Sequence, residues 1–123
     1  MTIAEVLEIL EGQILVSGHE ADSQVTRGGA ADLMSDVLAF STEDMVLMTG
    51  LTNPQVVRTA EMAGIDVVVF VRGKTPPRET LELAEHLGMT LMTTGYTMFE
   101  ACGRLYGAGL KGRGPVKIEN DSW

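Results

Sequence analysis

Apolar residues recur along this chain in two alternating rhythms. Ile3, Val6, Leu7 and Leu10 share one helical face, and Thr2 with Glu5 three positions later forms a capping box at its start. Gly12 is placed to stop that helix. Gln13 to Val16 reads as a short strand, followed by a polar turn through Gly18, His19 and Glu20. Gly28-Gly29 breaks the chain. Ala30, Leu33, Met34, Val37 and Leu38 then recur at the spacing of an amphipathic helix.

Three strand-then-helix units follow. Met45 to Thr49 reads as a buried strand, and Asn53-Pro54 supplies a cap residue and an N1 proline for a helix to about Ala63, ended by Gly64. Asp66 to Val71 is a second apolar strand. Thr75-Pro76 opens a helix through Leu81, Ala84 and Leu87, closed by Gly88. Met89 to Thr93 is a third strand, and Gly95-Tyr96-Thr97 leads into a helix carrying Met98, Phe99, Cys102, Leu105 and Tyr106. Near-continuous apolar strands alternating with helices predict an α/β fold with a parallel or mostly parallel sheet and flanking helices. Right-handed crossovers put the strand-to-helix turns on one edge of that sheet. Residues 108–123 break every periodicity and read as a glycine-rich tail, flexible or packed on a partner, so the expected domain is 1–107.

Composition narrows the function classes. The chain has 123 residues and 13.2 kDa, one domain's worth, with 9 Lys plus Arg against 17 Asp plus Glu, a formal charge of -8. The tail holds three basic and two acidic residues, which leaves -9 on residues 1–107. That acidity argues against nucleic acid and against an anionic membrane surface. No apolar run approaches the roughly 20 residues of a membrane span. A single cysteine, two distant histidines and a start without a basic leader predict a cytoplasmic protein with neither a disulfide framework nor a metal centre.

Several motifs come close to known chemistry and fail. Gly73-Lys74-Thr75 looks like the end of a phosphate-binding loop, but the position that needs its first glycine is Val68, inside a strand. Ser17 and His19 are neighbours whose side chains point apart. Cys102 falls on an apolar helix face, as a buried thiol would. Asp32 and Asp36 lie one helical turn apart, a solvated face or at most half a metal site. No catalytic residue, metal ligand or cofactor is therefore expected. What remains is a set of turns before helices, at Gly28-Gly29, 50–53, 73–75 and 93–95, whose free N–H groups suit an anion. In an open α/β sheet, ligands bind beyond the carboxyl ends of the strands. The expected crevice is lined by Gly28, Gly29, Asp32, Thr49, Gly50, Asn53, Gln55, Thr93, Thr94 and Tyr96, with Arg72 and Lys74 as its positive charge.

Three stretches resemble a stand-alone DRTGG domain: Val25-Thr26-Arg27-Gly28-Gly29 running into 30–39, Thr49 to Ala60, and Tyr96 to Leu105. The resemblance covers about residues 1–107. Gly28 and Gly29 stand in the motif's register, whereas Thr26-Arg27 reverses its Arg-Thr order and no acidic residue precedes it. DRTGG domains resemble the N-terminal domain of HPr kinase/phosphorylase, which lacks the kinase's phosphate loop. They occur fused to phosphotransacetylase and between nucleotide-sensing CBS domains of some pyrophosphatases. The resemblance implies a three-layer or half-barrel-like α/β fold, mostly parallel or mixed, with the mixing at Gln13–Val16 and at 23–26. It also implies a non-catalytic regulatory or sensor module that is homodimeric and binds a nucleotide or other small anion. Two alternatives stand beside it: a scaffold that docks a protein partner through its apolar surface and the tail ending in Trp123, and a kinase- or transferase-like enzyme.

Overall fold

A computed structural model describes residues 1–119; the tail's last residue, Trp123, lies outside them. In chain order the elements are α1 (Ile3–Ile9), β1 (Gln13–Val16), β2 (Arg27–Ala30), α2 (Met34–Phe40), β3 (Met45–Thr49), α3 (Pro54–Met62), β4 (Val67–Phe70), α4 (Arg78–His86), β5 (Thr90–Thr93) and α5 (Met98–Gly107). The strands form one sheet in the order β1-β5-β4-β3-β2. β2, β3, β4 and β5 run parallel, and β1 pairs antiparallel with β5. This is the mixed, mostly parallel α/β architecture that the sequence predicts, with its one antiparallel strand at Gln13–Val16.

β3 and β4 are buried at every position, so both faces of the sheet must be covered. Alternate side chains feed two cores. Val46, Met48, Val67, Val69 and Met92 pack with Ile3 and Val6 of α1 and Ala101 and Leu105 of α5. Leu47, Val68, Phe70 and Leu91 pack on the other face with Val37 of α2, Val56, Val57 and Ala60 of α3, and Ala84 of α4. Each of the Val, Leu, Ile, Met and Phe side chains contributes roughly 1.5–3 kcal/mol by leaving water. No helix among the described residues is long and apolar enough to cross a membrane.

The helix ends follow their sequence signals closely. Thr2 and Glu5 form the capping box, Asn53 Oδ1 accepts from Val56 N at 3.3 Å ahead of Pro54, and Thr97 caps α5. Gly64 and Gly88 adopt φ of 77° and 70° after α3 and α4. At the end of α1, however, the left-handed residue is Glu11, at φ 48°, and not Gly12. Gly12 is required for proximity, because a Cβ there would stand 2.9 Å from Thr93 O.

Other boundaries depart from expectation. Gly28-Gly29 is no break: both residues lie within β2, paired with Val46 and Leu47. α2 begins only at Met34, with Leu33 at its N-cap, so Asp32 lies in the loop before the helix and shares no helical face with Asp36. α4 begins at Arg78 after an N-cap Pro77, beyond the expected Thr75-Pro76 start. Of residues 23–26, Gln24 forms an isolated bridge with Thr2. The segment read as tail starts inside the packing: Leu110 is 5% exposed, and Gly28 N donates to Lys111 O at 2.9 Å along the outer edge of β2.

Two glycines give opposite expectations. A Cβ at Gly18 would meet Gly88 O at 2.3 Å, whereas one at Gly103, inside α5, meets nothing. Thermal or urea denaturation should show Gly18→Ala destabilised by about 1–3 kcal/mol and Gly103→Ala stabilised by about 0.5–1 kcal/mol.

Candidate functional site at the carboxyl ends of the strands

The four parallel strands end on one edge of the sheet, and the loops 31–33, 50–53, 71–77 and 94–97 leave from it. Thr49 closes β3 and is fully buried. Its hydroxyl donates to Asp32 Oδ1 at 2.9 Å, and Gly50 N donates to the same oxygen at 2.7 Å. Asp32 thus ties the loop after β2 to the end of β3, a role that a helical placement concealed.

After β4 the chain makes a tight turn in which Arg72 and Gly73 both have positive φ, 62° and 67°. For a residue with a Cβ this conformation costs on the order of 1–2 kcal/mol. It is held from the loop after β5, since Arg72 N donates to Tyr96 O at 2.8 Å and Gly73 N to Thr94 O at 2.7 Å. The turn sends its cations across the edge. Lys74 Nζ donates to Gly50 O at 3.1 Å, and Thr93 Oγ1 donates to Lys74 O at 2.7 Å. Arg72 lies over Gly50, where an added Cβ would stand 2.7 Å from its terminal nitrogen. Thr94 is buried and donates to Leu10 O at 2.6 Å, and its hydroxyl accepts from Tyr96 N at 3.3 Å.

Eight of the twelve expected site residues therefore meet: Asp32, Thr49, Gly50, Arg72, Lys74, Thr93, Thr94 and Tyr96. Asn53 and Gln55 stand nearby with their polar groups engaged on α3, Asn53 as its cap and Gln55 through Nε2 to Thr59 Oγ1 at 3.3 Å. Gly28 and Gly29 do not belong to this edge. They line two clefts, of about 250 Å³ beside Val37, Phe40 and Leu47 and about 170 Å³ beside Met48, Cys102 and Leu110, on opposite faces of β2. A glycine pair in a strand marks close packing as readily as a turn. A Cβ at Gly29 would stand 2.6 Å from Met45 Sδ, and one at Gly28 3.2 Å from Leu110.

The site differs electrostatically from a phosphate loop. The N–H groups of Gly50, Leu51, Arg72, Gly73 and Lys74 are spent on protein acceptors, so an anion must rely on the Arg72 and Lys74 side chains. Beside them the Tyr96 hydroxyl donates to the Glu11 carboxylate, and Arg104 lies 4.5 Å from the Tyr96 ring centre. Arg104 also donates through Nε to Ile9 O at 2.8 Å and sits 3.7 Å from Glu11. Periodicity does not reveal this trio, of which Glu11 and Tyr96 border a cleft of about 260 Å³ with Leu10 and Gly95. Elsewhere, burial pushes the Cys102 thiol upward. His19 bonds through Nδ1 to Thr90 Oγ1 at 2.7 Å, at the opposite end of the sheet.

The Glu11 bond, followed by burial, holds the Tyr96 phenol above its ordinary pKa. A charged acceptor favours the neutral phenol, so Glu11→Gln should move phenolate formation to lower pH. Ultraviolet titration reads this, with Tyr96→Phe identifying the transition.

No protein-family model matches the chain, and no curated protein matches it. Among solved structures it is similar to the CBS and DRTGG domains of the regulatory region of Clostridium perfringens pyrophosphatase, crystallised with its activator diadenosine tetraphosphate. The two are 19% identical with a TM-score of 0.69, over 85% of this chain and 45% of that one. The chain thus spans less than half of that solved chain. The likeness establishes a shared fold, in accord with the DRTGG-like architecture expected above.

Proposed function

We propose that this chain is a regulatory module that binds a small anionic ligand, a nucleotide foremost, at the carboxyl edge of its sheet. The observation that carries the reading is the turn at Arg72–Lys74, which sets two cations on the ends of β3 and β4 in a chain of charge -8. Such a turn costs conformational energy, and strain of this kind gathers at ligand sites. The nucleotide complex of the fold relative supports the reading, as does the DRTGG resemblance. Regulation without catalysis is part of the proposal.

Thermal-shift and calorimetric titration against nucleotides and phosphorylated metabolites tests it. A ligand at a hundred times its Kd should stabilise the fold by about 2.7 kcal/mol. Arg72→Ala and Lys74→Ala should each weaken binding about tenfold or more while leaving the unliganded melting temperature within a few degrees, as expected of losing a charge-assisted contact. No stabilisation by any of these compounds at millimolar concentration refutes the reading.

A second reading is a homodimer or protein contact through α2. Leu33 at its N-cap and Leu38 and Phe40 within it are 61%, 49% and 45% exposed. Light scattering should give twice the chain mass, and Leu38→Glu should give a monomer. A wild-type chain that stays monomeric at high micromolar concentration removes the dimer.

A further inference from the structure

At the strand-end edge the Asp32 carboxylate and the Arg72 guanidinium both stand beside Gly50 without forming an ion pair among the described residues. Asp32 is fixed through Oδ1, which accepts from both Thr49 Oγ1 and Gly50 N. Its other oxygen, Oδ2, lies 3.5 Å from the point where a Gly50 side chain would begin, and an Arg72 terminal nitrogen lies 2.7 Å from that same point. Yet the ion pairs among the described residues do not include Asp32 with Arg72. Glycine at position 50 keeps the space between them free of a side chain, and Gly50 has no positive φ that would demand glycine on its own account.

Resting on the reading that this edge binds an anion, we infer that Asp32 and Arg72 select a phosphate ester carrying a sugar hydroxyl, and that the hydroxyl bridges them. The chemistry of the gap decides this. A phosphate oxygen accepts from Arg72 but has no proton for Asp32 and is repelled by it. An ammonium group satisfies Asp32 and is repelled by Arg72. A hydroxyl donates to one and accepts from the other. Lys74 spends one N–H on Gly50 O and keeps two for the phosphate. The ligand class is a ribose phosphate ester, free or as a ribonucleotide, and bare phosphate or pyrophosphate is disfavoured.

Calorimetry with AMP, 2′,3′-dideoxy-AMP, ribose 5-phosphate and pyrophosphate tests this on the wild-type chain and on Asp32→Asn. The asparagine keeps an acceptor for Thr49 and Gly50 and replaces Oδ2 with a donor, so the fold persists while the selection weakens. The wild type should bind AMP about tenfold or more tightly than the dideoxy form, the usual scale for a hydroxyl held by charged partners. In Asp32→Asn that preference should shrink and pyrophosphate should bind more tightly. Ribose 5-phosphate binding as well as AMP identifies the sugar phosphate as the ligand, and weaker binding identifies the nucleotide. Equal affinity for AMP and its dideoxy form, or a preference that Asp32→Asn leaves intact, overturns the inference while the anion site stands. Failure of all four compounds to bind the wild type overturns both.

Discussion

The structure depends on β3 and β4 being buried on both faces. Their side chains, Met45 to Thr49 and Val67 to Phe70, leave no surface that can face water. Helices must therefore cover each face, and parallel strands joined by right-handed crossovers place every strand-to-helix turn on one edge. The polar residues that end these strands have no other place to be. The gathering of Asp32, Thr49, Arg72 and Thr94 is thus a consequence of the core's chemistry.

The sheet's outer strand shows a second consequence. β2 is Arg-Gly-Gly-Ala, with almost no side-chain mass of its own, so it can stay in the sheet only by being gripped from outside. Met45 closes over Gly29, Leu110 approaches Gly28, and Lys111 O takes the free Gly28 N–H. The segment after α5 is therefore a structural partner of β2, and its burial at Leu110 substitutes for side chains that β2 lacks. Clefts remain on both faces because two glycines leave more space than the neighbours fill.

Legibility in the sequence followed the strength of local signals. β1 and β3, the start of α3 and the capping of α1 could be read because apolar runs, Asn53-Pro54 and the Thr2-x-x-Glu5 pattern are short-range chemistry. The glycine pair was misread because its reason is long-range: Met45 and Leu110 are distant in sequence. Asp32 was misread because a helical rhythm beginning at Ala30 cannot say where the hydrogen bonds begin, and Leu33 offers no side-chain cap to mark it. The strand-end edge was legible as a place where loops gather, since strand ends and Pro or Gly punctuation locate it. Its wiring was not, because whether an N–H is free or spent depends on partners such as Tyr96 O and Thr94 O in the loop after another strand.

That wiring separates this edge from a phosphate loop. A loop of glycines presents free backbone donors, and its cation only adds to them. Here the donors hold the turn itself. Arg72 keeps its left-handed backbone because Tyr96 O accepts its N–H, and Tyr96 is anchored by Glu11 and Arg104, which join the end of α1 to α5. The backbone at Arg72 is thereby set by packing on one face of the sheet, while the Lys74 contact to Gly50 O ties the turn to the end of β3. On the proposed reading, cationic side chains beside the Asp32 carboxylate would favour ligands with both donors and acceptors over simple anions. An acidic chain that engaged an anion mainly through two side chains would gain selectivity from this arrangement more readily than affinity.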